Sequence, residues 1–168
     1  MSERITISDL NAMKADGDKF VMVTAYDSTF AKLVSEAGAE CILIGDSLGM
    51  VLQGFDTTVP VSLESMVYHT ACVARARTQS LIVADLPFMS YSSPDVALAA
   101  STELMQQGAQ MVKLEGGIWL SDTIHQLVQR GIPVCAHLGL MPQSVNVYGG
   151  YRVQGRTPKE AKSILADA

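Results

Sequence analysis

Five short apolar runs recur along the chain: FVMVTAY (20–26), CILIG (41–45), LIVADLPF (81–88), QMVKLEGG (110–117) and IPVCAHLG (132–139). Each is four to eight residues long, and each ends at or near a polar group, so each reads as a strand buried on both faces. Between them the apolar period changes from continuous to helical. Asp27 caps a stripe of Phe30, Leu33, Val34 and Ala37 that Gly38 closes. After a long loop, Pro60 leads into a stripe of Leu63, Met66, Val67, Thr70, Ala71 and Ala74. Ser93 and Pro94 open one of Val96, Ala99, Ala100 and Leu104 that stops at Gly108. Leu120, Ile124, Leu127 and Val128 form another, stopped by Gly131.

Strands alternating with helices imply βαβ units and a parallel sheet. The polar groups closing the strands are, in order, Tyr26 and Asp27, Asp46 and Ser47, Asp85, Lys113 and Glu115, and His137. Chemistry-bearing groups at the C-terminal ends of successive parallel strands are the site arrangement of a (β/α)8 TIM barrel. A dinucleotide-binding sheet is disfavoured, because no G-x-G-x-x-G follows the first strand. Such a barrel needs about 250 residues, and this chain of 168 supplies five strands. Thr157, Pro158 and Glu160 then open a capped helix with Ala161, Ile164 and Leu165 on one face, and the sequence stops at Ala168 without a helix-ending signal. The expectation is a single domain over residues 1–168: an incomplete, C-terminally truncated barrel of about five parallel strands.

The acids at the strand ends set the chemistry. Asp46, Asp85 and Glu115 repel one another when gathered, unless a cation or bound protons offset the charge. All-oxygen ligands favour Mg2+, which takes one or two carboxylates and keeps water or substrate oxygens. Asp46 and Asp85 are the primary ligand candidates, with Glu115 bound directly or through water. Lys113 lies two residues from Glu115, on the same side of a strand, where an ammonium suits an anionic substrate. His137 reads as a metal ligand, a substrate donor or a structural hydrogen-bonder, with the donor role favoured. His69 and His125 lie off their helical stripes and read as solvated. VYGGYRVQG (147–155) reads as a Gly-Gly hairpin with strands around Val147 and Tyr151 to Val153.

Composition closes off other classes. Net charge is −5 with no basic cluster, which argues against nucleic acid. No apolar run approaches the roughly 18 residues of a membrane span, and MSERITISDL lacks a signal peptide's apolar stretch, so a cytoplasmic protein is expected. Cys41, Cys72 and Cys135 form no C-x-x-C pair, and Cys41 and Cys135 read as buried free thiols.

Six segments in order, VTAYDSTFAKL, GDSLGMVLQG, YHTACV, ADLPFMSY, MVKLEGG and AHLGLMPQSVNVYGGYRVQGR, resemble the ketopantoate hydroxymethyltransferase family over essentially the whole chain. The resemblance implies a barrel of the phosphoenolpyruvate/pyruvate type. The activity it implies makes 2-dehydropantoate from 3-methyl-2-oxobutanoate and the co-substrate 5,10-methylenetetrahydrofolate, in pantothenate and coenzyme A biosynthesis, by Mg2+-assisted enolisation and one-carbon transfer. It places Mg2+ on Asp46, Asp85 and Glu115, and the oxo acid against Asp46, Ser47, Asp85 and Lys113 with His137 nearby. It also implies a homodecamer. The family's general base is a Glu on the next strand, beyond residue 168, so the catalytic base here is unknown and the 168 residues alone are expected to be inactive. The alternatives are a C–C lyase of the isocitrate lyase type, whose Lys-Lys-Cys-Gly-His segment is absent here, and an inactive fragment that only binds metal.

Overall fold

A computed structural model describes residues 4–168. Five strands form one parallel sheet in sequential order: β1 (Met22–Thr24), β2 (Cys41–Ile44), β3 (Leu81–Asp85), β4 (Met111–Glu115) and β5 (Val134–His137). Helices intervene: α1 (Ile7–Asp16), α2 (Ser28–Glu36), the single turn α3 (Leu48–Val51), α4 (Leu63–Ala74), α5 (Pro94–Gln106), α6 (Ser121–Gln129), the short α7 (Val145–Tyr148) and α8 (Pro158–Asp167). The expected β/α alternation and parallel pairing are present, and β3, apolar up to Asp85, is buried at every position. The flanking strands β1 and β5 each pair with a single neighbour and are only partly covered.

Two apolar layers hold the sheet. One face packs Ile42, Ile44, Ile82, Ala84, Val112 and Leu114 against the helices. The other gathers Cys41, Leu81 and Val83 around Leu10 of α1. The second layer depends on α1, which was not among the expected elements. Its signals are local: Thr6 and Asp9 form a reciprocal capping box, and Gly17 ends the helix at φ +80.

The helix faces differ from the expected stripes in two places. In α2 the residue against the sheet is Ala31, fully buried, while Phe30 and Leu33 are 62% and 56% exposed. In α5 the buried set is Ala97, Ala100, Ser101 and Leu104, and Val96 faces outward. In α2 a small side chain takes the most buried position and larger apolar groups flank it, whereas in α5 three small residues share the buried face with Leu104. In α4 the expected stripe holds, with Met66, Thr70 and Ala71 buried. The predicted hairpin is absent. Val147 and Tyr148 lie in α7, whose Val145 is buried, and Gly149 ends that helix at φ +66. Gly149 thus serves as a helix stop, and no strand forms over 151–156. The predicted capping box at Thr157 and Glu160 is present.

Candidate active site at the strand ends

Register brings the candidate residues together. Asp85 pairs with Lys113 across β3 and β4, and Glu115 pairs with His137 across β4 and β5. Asp46 follows β2 after Gly45, where the backbone runs close to the acids: a Cβ at Gly45 would lie 2.9 Å from Ser47 Oγ and 3.5 Å from Asp85 Oδ2. All three carboxylates are buried, at 3%, 3% and 4% exposure for Asp46, Asp85 and Glu115. Burying three acids is costly unless each is compensated, and the three are compensated differently.

Asp85 takes the cation. Lys113 Nζ lies 2.6 Å from Asp85 Oδ1, and the Asp46 backbone N–H donates to Oδ2 at 3.2 Å. Burial raises the Asp85 pKa, and the Lys113 charge and hydrogen bond only partly offset it. Burial acts to lower the Lys113 pKa, but the Asp85 charge and hydrogen bond, with Glu115 and Asp46 beyond, raise it more, so the amine stays protonated. Glu115 is held by donors on both oxygens: the Gln143 backbone N–H to Oε2 and His137 Nδ1 to Oε1, each at 3.0 Å.

Asp46 has no ion-pair partner among the described residues. Gln143 Nε2 donates to its Oδ2 at 2.8 Å, and Oδ1 accepts no hydrogen bond from the described residues. Burial, then the charge of Asp85, push the Asp46 carboxyl up to about 7 despite the Gln143 hydrogen bond. Ser47 is half-buried, and its hydroxyl is 2.9 Å from the Tyr26 hydroxyl. The Tyr26 carbonyl in turn meets His69 Nδ1 at 2.8 Å. His69 is therefore not solvated as expected: it is half-buried, with its ring edge-on to Tyr26 and Tyr68, because its helix face turns toward the end of β1. His125 is exposed as expected.

Two site residues escaped the sequence reading. Gln143 follows Pro142 in a 3-10 turn after β5 and is 5% exposed. Tyr91, 6% exposed, lies in the loop after β3 beyond Met89, which adopts φ +63. Nothing in LGLMPQSV separates a buried glutamine from a solvated one. A cleft of about 270 Å3 lined by Phe88, Met89, Tyr91, Trp119, Glu115 and Gln143 opens beside the acids.

The carboxylates at the strand ends offer oxygen donors, which suit a hard cation. Among the described residues no three His, Cys, Asp or Glu side chains converge to cage an ion by themselves. A cation here would rest on one or two carboxylates and complete its shell with water or substrate oxygens, which is how Mg2+ is usually held. With Oδ2 of Asp46 taken by Gln143, its Oδ1 is the oxygen left for such an ion.

Comparison with known proteins gives the chain a family. The ketopantoate hydroxymethyltransferase pattern matches residues 4–168. The 3-methyl-2-oxobutanoate hydroxymethyltransferase of Colwellia psychrerythraea is 58% identical over 165 residues, covering 98% of this chain and 62% of the relative. That of Burkholderia vietnamiensis is 58% identical over 164 residues, covering 98% and 60%. The chain thus spans about three fifths of the length of these relatives. Among solved structures, phosphonopyruvate hydrolase in complex with oxalate and Mg2+ superposes with a TM-score of 0.64 at 16% identity, covering 93% of this chain and 66% of that one. A 2,3-dimethylmalate lyase of the PEP mutase/isocitrate lyase superfamily gives 0.61 at 13%, covering 99% and 67%. At that identity the likeness concerns the fold alone, and the five parallel strands with their helices correspond to an incomplete TIM barrel. The chain belongs to the ketopantoate hydroxymethyltransferase family.

Proposed function

We propose that this chain carries the metal and oxo-acid site of a 3-methyl-2-oxobutanoate hydroxymethyltransferase, which converts 3-methyl-2-oxobutanoate and 5,10-methylenetetrahydrofolate to 2-dehydropantoate in pantothenate and coenzyme A biosynthesis. The observation that carries the reading is the charge balance at the strand ends: three buried carboxylates, one ammonium, and Asp46 left without a cation. Asp46 and Asp85 would hold Mg2+, with Glu115 contributing directly or through water. Bound there, Mg2+ polarises the keto group of the oxo acid and eases loss of its C3 proton.

The chain's own residues bind and orient. Lys113 spends one of its three N–H donors on Asp85, leaving two for the substrate carboxylate. Ser47, held by Tyr26, and Asp46 flank the same position. His137 directs Nδ1 at Glu115. With Glu115 ionised, Nδ1–H donates to it, so Nε2 accepts from the substrate when the ring is neutral and donates only as imidazolium. No described residue is assigned as the base for C3.

The transferase activity of relatives 58% identical to this chain favours the transferase over the lyase alternative. A cytoplasmic location and a homodecameric assembly belong to the same reading. No helix among the described residues is long and apolar enough to cross a membrane, and native mass measures the assembly. Calorimetric titration with 3-methyl-2-oxobutanoate tests the site. Binding with Mg2+ present should vanish in EDTA and weaken about 10-fold or more in Asp46→Asn. Equal binding with and without the chelator would overturn the proposal.

A further inference from the structure

We propose that Gln143 and Tyr91 form a positioning pair that fixes which oxygen of Asp46 is presented to a cation. The proposal rests on the Mg2+ reading above and adds a mechanism for it. Every polar atom of the Gln143 side chain is engaged. Its two amide hydrogens go to Asp46 Oδ2 at 2.8 Å and to the Leu86 carbonyl at 2.9 Å. Its Oε1 accepts from the Tyr91 hydroxyl. That hydroxyl also lies 3.2 Å from the Glu115 carbonyl, but it has one proton and the contact with Gln143 is the shorter.

The acceptors around it favour one orientation of the amide. Turned over, it would set Oε1 against the Leu86 carbonyl and the ionised Asp46 carboxylate, acceptor against acceptor, while its NH2 could still donate to the Tyr91 hydroxyl, so Leu86 and Asp46 choose the orientation. The Tyr91 hydroxyl reinforces that choice. By donating to Oε1 it holds Nε2 on Asp46, so that Oδ2 is occupied and Oδ1 is the oxygen left for a ligand. The backbone N–H of Gln143 also binds Glu115 Oε2 at 3.0 Å. One turn after β5 thereby ties the acid following β2 to the acid ending β4, across 97 residues of sequence in the first case. Neither residue needs to touch the ion.

The test is Mg2+ alone, titrated calorimetrically into the full chain and into Gln143→Leu, Tyr91→Phe and the double variant, with thermal melts run alongside. Partners that orient a ligand typically control about 10- to 100-fold in metal affinity. Gln143→Leu should lose that much, and Tyr91→Phe, which keeps its ring, should lose less. The double variant should match Gln143→Leu within about twofold, because the hydroxyl acts only through the amide. Mg2+ affinity of Gln143→Leu within about twofold of the parent would overturn the proposal, and so would losses that simply multiply in the double variant. If Gln143→Leu does not fold, Tyr91→Phe decides: a lower melting temperature with unchanged Mg2+ affinity means a structural role and refutes positioning. Failure of the parent chain to bind Mg2+ removes the proposed function and this pair together, whereas normal binding by the parent and by Gln143→Leu removes only the pair.

Discussion

Replacing Lys113 by Met removes the ammonium at the strand ends while keeping an unbranched apolar stem of similar length. The pair it breaks is short and buried, with Nζ 2.6 Å from Asp85 Oδ1 and side-chain exposures of 14% and 5%. Removing one partner of a buried pair costs about 3–5 kcal/mol, mostly the penalty of the charge left behind. The residual exposure of Lys113 places the expected loss near the lower end, about 3 kcal/mol. Asp85→Asn leaves an ammonium that still faces Glu115 and Asp46, so it should cost only about 1 kcal/mol, the scale of a single hydrogen bond. If the loss in Lys113→Met comes from an orphaned carboxylate, the double variant Lys113→Met/Asp85→Asn should recover much of it. Its loss should be about 2 kcal/mol smaller than the sum of the single losses, within the range of couplings between contacting residues. Urea unfolding in the absence of divalent cations reads this through midpoint and slope. Losses that add within about 0.5 kcal/mol would refute the orphaned-charge argument and with it the view that Lys113 is held in place by Asp85.

Three other expectations follow from the geometry. The Asp46 carboxyl is held near 7 when folded against 3.8 in an unfolded chain, so its contribution to stability is full below 3.8 and is lost as pH rises through about 7. Mg2+ should accordingly raise the melting temperature more at pH 8 than at pH 5.5, and equal increments would contradict it. Gly45→Ala puts a methyl 2.9 Å from Ser47 Oγ; it should cost about 1–3 kcal/mol in a melt and weaken oxo-acid binding, and unchanged binding would mean that the close approach is not needed there. Cys41 is fully buried and its thiol is pushed up to about 11 by burial, then by Glu40; alkylation at pH 8 followed by peptide mapping should leave it unmodified in the folded chain and modified in urea, and rapid labelling in buffer would show that its strand opens.

The sheet was legible because each strand is short, apolar and closed by a polar group. Cys41–Ile44 and Leu81–Asp85 fall inside the expected runs and carry Asp46 and Asp85 to neighbouring positions. The register that pairs Asp85 with Lys113 and Glu115 with His137 comes from the structure, because parallel, sequential strands can still slip against one another. What periodicity alone could not fix was the side of a helix that meets the sheet. In α2 Phe30 and Leu33 satisfy the helical period as well as Ala31 and Val34 do, and it is Ala31 that is fully buried. Gly149 was ambiguous in another way, because a glycine at positive φ suits both a hairpin turn and a helix stop. Gln143 carried no signal, since its role comes from three elements that meet only in space.

The same contacts explain why the three acids are not interchangeable. Asp85 has a permanent counter-ion, so a second cation there must share the carboxylate with Lys113. Glu115 is held on both oxygens by donors that a direct ligand would have to crowd or displace. Asp46 faces Asp85 across a backbone hydrogen bond, takes one side-chain hydrogen bond, and has a second oxygen with no described donor. Electrostatics alone therefore ranks the sites: an incoming cation gains most at Asp46, where buried charge is least compensated, next at Asp85 on the side away from Lys113, and least at Glu115, which is best placed to act through water. On this ranking the polar groups that hold Asp85 and Glu115 have a second use. They settle two acids in advance and leave the third as the position where a bound ion relieves the most repulsion.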